Sequence, residues 1–182
     1  MGATARPRHQ EIKNENGGCW IMKHYSITSE EEKNKLNNAI KEALNKLYKK
    51  DFFLIENCLH EQCIGHQFGL YLRNELNQCG YADYDLDAEY NRHKMDKKII
   101  PSYPNGARPD FILHKRNNDN DNILIIELKK GKRPRITEND KNKIKWFMES
   151  PFNYKYGATI LFKIGEPDFK GVFDKTSQDN IN

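Results

Sequence analysis

No stretch of the 182 residues is long and apolar enough to read as a membrane span, no apolar signal segment opens the chain, and no internal repeat is visible. These absences set the expectation of a cytoplasmic protein without a membrane partner. Cysteine is scarce, and Cys19, Cys58, Cys63 and Cys79 show no paired CxxC spacing, which fits a reducing compartment. Three of them fall in a helical pattern with His60 and His66, and helix packing explains them better than zinc ligation, which favours tighter paired spacings.

Charge of one sign is not in large excess either. Charged residues make up 31% of the chain and the net charge is +4, a mild surplus that is compatible with a nucleic-acid partner without requiring one. The length suits a single domain that buries roughly 70% of its unfolded surface. Residues 1–25 lack apolar periodicity and contain Gly17-Gly18, so they read as a flexible segment; 26–173 read as the domain, and 174–182 as a frayed tail.

What the chain does have is concentrated between Arg108 and Lys130, RPDFILHKRNNDNDNILIIELKK. Two apolar runs, Phe111-Ile112-Leu113 and Ile123 to Ile126, flank a polar stretch rich in Asn and Asp, the signature of a β-hairpin. A loop centred on Asn118-Asp119 pairs residues whose numbers sum to 237. Asp110 then faces Glu127, with Cβ atoms roughly 5 Å apart. Alternation along the strand puts Lys129 on the face of Glu127 and sends Leu124, Ile126 and Leu128 to the other. Two carboxylates so close repel, and their burial is costly unless a cation compensates. Mg²⁺ suits them because it takes oxygen ligands and keeps waters that a substrate phosphate can replace. Lys129 beside it is placed to orient or deprotonate a water and to steady negative charge, chemistry suited to phosphodiester hydrolysis.

The flanking elements follow from periodicity. Ser29 and Glu32 have capping-box spacing ahead of Leu36, Ile40, Ala43, Leu44 and Leu47, a first helix. A second is expected from about Asp51 to Asn77, stopped by Gly80, with Phe52, Ile55, Leu59, Phe68, Leu72 and Leu76 inward. Asp85 to Tyr90 alternates as a strand, 91–107 is a loop that is placed to cover a substrate, Thr137 and Asp140 start a helix carrying Ile144, Phe147 and Met148, and Tyr156 to Ile164 is a central strand. The fold class is therefore α/β, a mixed sheet flanked by helices with two of them N-terminal and the carboxylates at one rim. From 129 to 145, Lys129, Lys130, Lys132, Arg133, Arg135, Lys141, Lys143 and Lys145 oppose only Glu138 and Asp140, a balance of +6 where a phosphate backbone would sit.

Pro109-Asp110, sixteen residues, then Glu127-Leu128-Lys129 resembles the PD-(D/E)XK nuclease superfamily, the restriction-endonuclease-like fold. Similar order and spacing extend to HEQCIGHQFGLYLRNEL (60–76), DAEYNRH (87–93), DKNKIKWF (140–147) and YGATILF (156–162), over roughly residues 52–163, in small bacterial proteins with this core. The resemblance implies a Mg²⁺-dependent nuclease, with Mn²⁺ as a substitute, that leaves a 5′ phosphate. The metal would be held by Asp110, Glu127 and the Leu128 carbonyl, with Lys129 catalytic and Glu61 brought in by the preceding helix, where it serves a second metal or stays a surface residue. Glu89 is an outer group or a plain strand residue; Asp140 and Lys143 match a D-x-x-K pattern. Gln67 stands where relatives often carry Arg. Lys130, Lys132, Arg133, Arg135, Lys143 and Arg73 are the candidate nucleic-acid contacts, DNA being favoured over RNA. No helix-turn-helix or zinc-finger reader is present, so specificity would come from nucleic-acid shape, a homodimer or an associated subunit. The other readings are a catalytically silent binding module on the same fold, and an effector silent until a partner activates it.

Overall fold

The computed structural model describes residues 29–93, 96–101 and 103–176; the expected loose segment 1–25, with Cys19, and the tail beyond 176 lie outside the described residues. In chain order the elements are α1 (Ser29–Lys50), α2 (Phe52–Glu56), α3 (Glu61–Leu76), β1 (Asp85–Ala88), β2 (Arg92–His93), β3 (Asp96–Lys97), β4 (Phe111–His114), β5 (Leu124–Lys130), α4 (Glu138–Met148), β6 (Tyr156–Phe162), β7 (Asp168–Phe169) and β8 (Phe173–Asp174). The result is an α/β protein: a mixed, open sheet in the order β1-β4-β5-β6-β7, β8 joining β6 alongside β7, a separate β2-β3 ribbon, and four helices. No helix among the described residues is long and apolar enough to cross a membrane.

The hairpin has the expected register, Phe111 opposite Ile126, Ile112 opposite Ile125 and Leu113 opposite Leu124. β5 and β6 run parallel, and α4 supplies the crossover that a parallel pair requires. Because side chains alternate, the sheet feeds two cores. Phe111, Leu113, Leu124, Ile126 and Leu128 pack with α1 and α3. Ile112 and Ile125 pack with Ile144, Phe147 and Met148 of α4 and with Ile100 and Ala107 of the long loop. Each of Leu36, Ile40, Ala43, Leu44 and Leu47 is buried on α1, as the periodicity requires.

Three features that the sequence pattern does not show bear on function. The expected helix 51–77 is two helices, so three rather than two precede the sheet. Cys58 adopts φ 50°, and His60 N-caps a fresh helix by accepting from Gln62 N–H, which makes Glu61 its first residue. Asp174, the first residue of the expected frayed tail, belongs to the sheet: it pairs with Tyr156 and lies 3.6 Å from Lys33. Finally, α3 lies close against the sheet: a Cβ on Gly69 would come within 2.7 Å of the Phe111 ring, and one on Gly65 within 3.3 Å of Leu128. The two glycines bring α3 down onto β4 and β5.

Candidate active site

Asp110 stands at a bend just before β4, and one step beyond the Phe111–Ile126 pair the hairpin register sets it across from Glu127. Its Oδ2 accepts the Leu128 N–H at 2.6 Å, which fixes the carboxylate against the partner strand. Glu127, 1% exposed, and Lys129 point to the α4 side, while the Leu128 side chain is buried on the α3 side. The acidic pair thus forms where the hairpin pattern puts it, at the rim where the end of β5 meets the first turns of α3 and α4.

Two lysines answer these acids, and only one comes from the motif. Lys143, one turn into α4 and 7% exposed, places Nζ 2.8 Å from both oxygens of Glu127. The geometry makes a hydrogen bond to Oε2; the contact to Oε1 is a close ion pair without hydrogen-bond direction, so this buried atom is left without a hydrogen-bond partner. The Tyr103 ring of the long loop closes over the same ammonium, 5.7 Å from its centroid. Lys143 is therefore an internal counter-ion rather than part of the phosphate-facing surface on which the charge pattern set it. The signal for this was legible: Asp140, Lys143, Ile144 and Phe147 fall on one helical face, the face that turns out buried.

Lys129 lies 2.9 Å from Asp140, which also closes the α4 capping box with Thr137. Burial works to lower the Lys129 pKa, but the bond to Asp140 and the charges of Asp140, Glu127 and Asp110 more than offset it and hold it above its usual value. An ammonium so stabilised orients and neutralises better than it deprotonates. The carboxylates move up. Burial raises Asp110 against the pull of the Leu128 N–H and the two lysines. Burial, then the charge of Asp110, pushes Glu127 up to about 8 despite Lys143. Both carboxyls therefore hold their protons to higher pH than exposed acids do.

Glu61 reaches the end of β5 from α3: its Oε2 accepts the Lys130 N–H at 3.0 Å, and burial, with the charge of Asp110 second, raises its pKa. Among the described residues no three His, Cys, Asp or Glu side chains form a ready-made metal cluster, and Glu61 is engaged by the Lys130 N–H with the Asp110 charge nearby. The chemistry of the pair still fits a hard cation. It offers carboxylate oxygens, and Oε1 of Glu127 is a buried acceptor without a hydrogen bond. Asp110 and Glu127 would hold such an ion, with the Leu128 carbonyl next in the chain.

The other expected contacts divide. Lys132, Arg133 and Arg135 are exposed between β5 and α4. Lys130 donates to the Cys58 carbonyl at 3.0 Å, and Arg73 to the carbonyls of Ala82 and Tyr84, so both serve the fold. Glu89 accepts from Gln62 at 2.8 Å while its N–H donates to the Asp110 carbonyl, bracing the segment that carries Asp110. Glu61, Asp110 and Glu89 line a cleft of about 640 Å³ between α3 and the β1 edge. No family model, curated protein or solved structure matches this chain.

Proposed function

We propose that the protein has a restriction-endonuclease-like fold and is a metal-dependent nuclease that hydrolyses phosphodiester bonds, with DNA the favoured substrate. One observation carries this reading: the buried carboxylate of Glu127 on β5 and the half-buried one of Asp110, just before β4, face each other at the sheet rim, with two lysine ammoniums within their field. Mg²⁺ or Mn²⁺ bound by Asp110 and Glu127 would supply Lewis-acid charge to a phosphoryl oxygen and make a bound water more acidic.

The chain's own groups do the rest. Asp110 is held in place by the Leu128 N–H, so its free oxygen is preorganised. Lys129, kept protonated by Asp140, orients the attacking water and steadies charge building on the phosphate oxygens. Glu61 clamps the end of β5 through Lys130 N–H and so holds Lys129 in register. Lys143 balances the acidic pair from below.

A second reading has its own support. Because Lys143 already bridges both Glu127 oxygens, the acidic pair is balanced without a metal, as a catalytically silent binding module on this fold would have it. Purified protein incubated with labelled single- and double-stranded DNA and RNA in Mn²⁺ separates the two. Cleavage abolished by Glu127→Ala and Lys129→Ala supports the nuclease, and salt-sensitive binding without cleavage supports the module.

A further inference from the structure

A second cleft opens on the sheet face that carries Glu127 and Lys129. In register, Glu127 neighbours Thr159 and Lys129 neighbours Leu161, and both β6 residues line this cleft of about 330 Å³. It is therefore one strand, about 5 Å, across from Glu127, with Asp110 one strand further on.

Its rim is cationic. Arg135, Lys141, Lys163 and Lys170 surround it, and Asp168 is the one acid among the lining residues. Asp168 is shared by Lys163 and Lys170, the latter at 3.1 Å, so one carboxylate faces two ammoniums. Lys141 has Glu138 at 3.1 Å, a side chain 79% exposed, while Arg135 makes no ion pair among the described residues. The rest of the lining is largely apolar, with Pro134, Ile136, Leu161 and the aromatic Phe173.

Surplus cations attract a phosphate backbone whatever its sequence. An apolar lining with an aromatic ring adds what a polyanion alone cannot use, a surface for the face of a base, and a duplex keeps that face hidden in its stack. The volume, at the lower end for small-ligand pockets, has room for one base and not for a double helix. We propose that this cleft binds an unpaired nucleotide of single-stranded nucleic acid, the base on Leu161 and Phe173 and the flanking phosphates on Arg135 and Lys170. Only the last step, delivery of the strand to Asp110 and Glu127, rests on the nuclease reading.

The test is fluorescence anisotropy in EDTA with a labelled ten-nucleotide oligo(dT), an abasic oligomer of equal length, the matching duplex, and poly-glutamate as competitor. The single strand binds about ten-fold tighter than the abasic oligomer, within the range for base stacking. Arg135→Ala/Lys170→Ala, both exposed positions, weakens binding and reduces the slope of log affinity against log salt by about 1.4, roughly 0.7 for each lost charge. Asp168→Asn strengthens it. Unchanged affinity in the double variant, or equal binding of abasic oligomer, poly-glutamate and oligo(dT), overturns the proposal. Binding in EDTA that follows these variants, without cleavage in Mn²⁺, sinks the nuclease reading and leaves the cleft; cleavage with KM unchanged in the double variant does the reverse.

Discussion

Lys143 Nζ sits equidistant, 2.8 Å, from the two oxygens of Glu127, with the Tyr103 ring closing over it. Removing one partner of a buried pair leaves the other charge uncompensated, which costs roughly 3–5 kcal/mol, whereas replacing both by apolar or neutral groups is often close to neutral. Lys143→Met is expected to lose stability of that order at pH 8 in urea denaturation, and Glu127→Gln/Lys143→Met to recover most of it. Equal losses in the single and double variants would show that the two residues are not an energetic unit. With the ammonium gone, Mn²⁺ raises the melting temperature of Lys143→Met more than that of the wild type.

The raised Glu127 carboxyl makes stability depend on pH in a definite direction. A group that binds its proton more tightly folded than unfolded contributes stability fully present below its ordinary value of 4.5, and loses it as pH rises through about 8. Lys98 works oppositely and higher. Burial lowers its pKa to about 8 against the pull of Asp87 and Asp119, so its contribution grows between about 8 and its usual 10.5. Melts between pH 5 and 7.5 lie below the Lys98 window, and the comparison with Glu127→Gln separates Glu127 from Asp110 and Glu61, whose raised carboxyls act in the same direction: the wild type loses stability across that window, and Glu127→Gln loses distinctly less. A flat wild-type profile would contradict the upward shift.

How much of this was legible in the sequence depends on the range of the interaction. The hairpin register is local: two apolar runs and a loop centred on Asn118-Asp119 determine it, and the pairing of Phe111 with Ile126 follows. The Thr137–Asp140 capping box is equally local. The break at Cys58 was not legible, because Ile55 and Leu59 keep a helical interval across it and the interruption lies in one positive φ. The inward face of Lys143, shared with Ile144 and Phe147, is local too, but its pairing with Glu127 was not legible, because only the docking of α4 brings the two together. Lys163 ends the strand that the pattern predicts from Tyr156 to Ile164, but Lys170 comes from a segment in which the pattern shows no strand, since β7 and β8 are two residues each and owe their existence to pairing with β6.

The approach of α3 to the sheet gives a purely steric prediction. A methyl group at Gly69 would meet the Phe111 ring at 2.7 and 2.8 Å, and Phe111, 5% exposed, has little room to yield. Gly69→Ala is expected to cost about 1–3 kcal/mol through overpacking, despite the better helix propensity of alanine. Gly80→Ala meets nothing within 4 Å but sits at φ +105°, so its penalty is conformational and leaves α3 in place. Chemical denaturation measures both losses. Only Gly69→Ala should also impair cleavage, by displacing Glu61 and its bond to Lys130.

The Lys129–Asp140 contact decides how Lys129 takes part in hydrolysis. Asp140 holds the Lys129 pKa up, so around neutral pH the side chain is an ammonium that positions water and neutralises the phosphate. Lys129→Ala is then expected to lower kcat by about 10²–10³-fold, the range for removing one preorganised electrostatic donor, while Lys129→Arg keeps part of the rate. Asp140→Asn separates the two roles. With the carboxylate gone Lys129 deprotonates more easily, so if its ammonium is the working form the alkaline limb of the pH–rate profile moves to lower pH and activity near pH 9 falls. If the free amine were the working form, as a base abstracting a proton from water, the acid limb would move to lower pH instead and activity at pH 7 would rise. Asparagine can still accept from the Thr137 N–H, so the α4 cap is retained and a melt in parallel confirms it. The direction in which the profile moves distinguishes the ammonium from the amine.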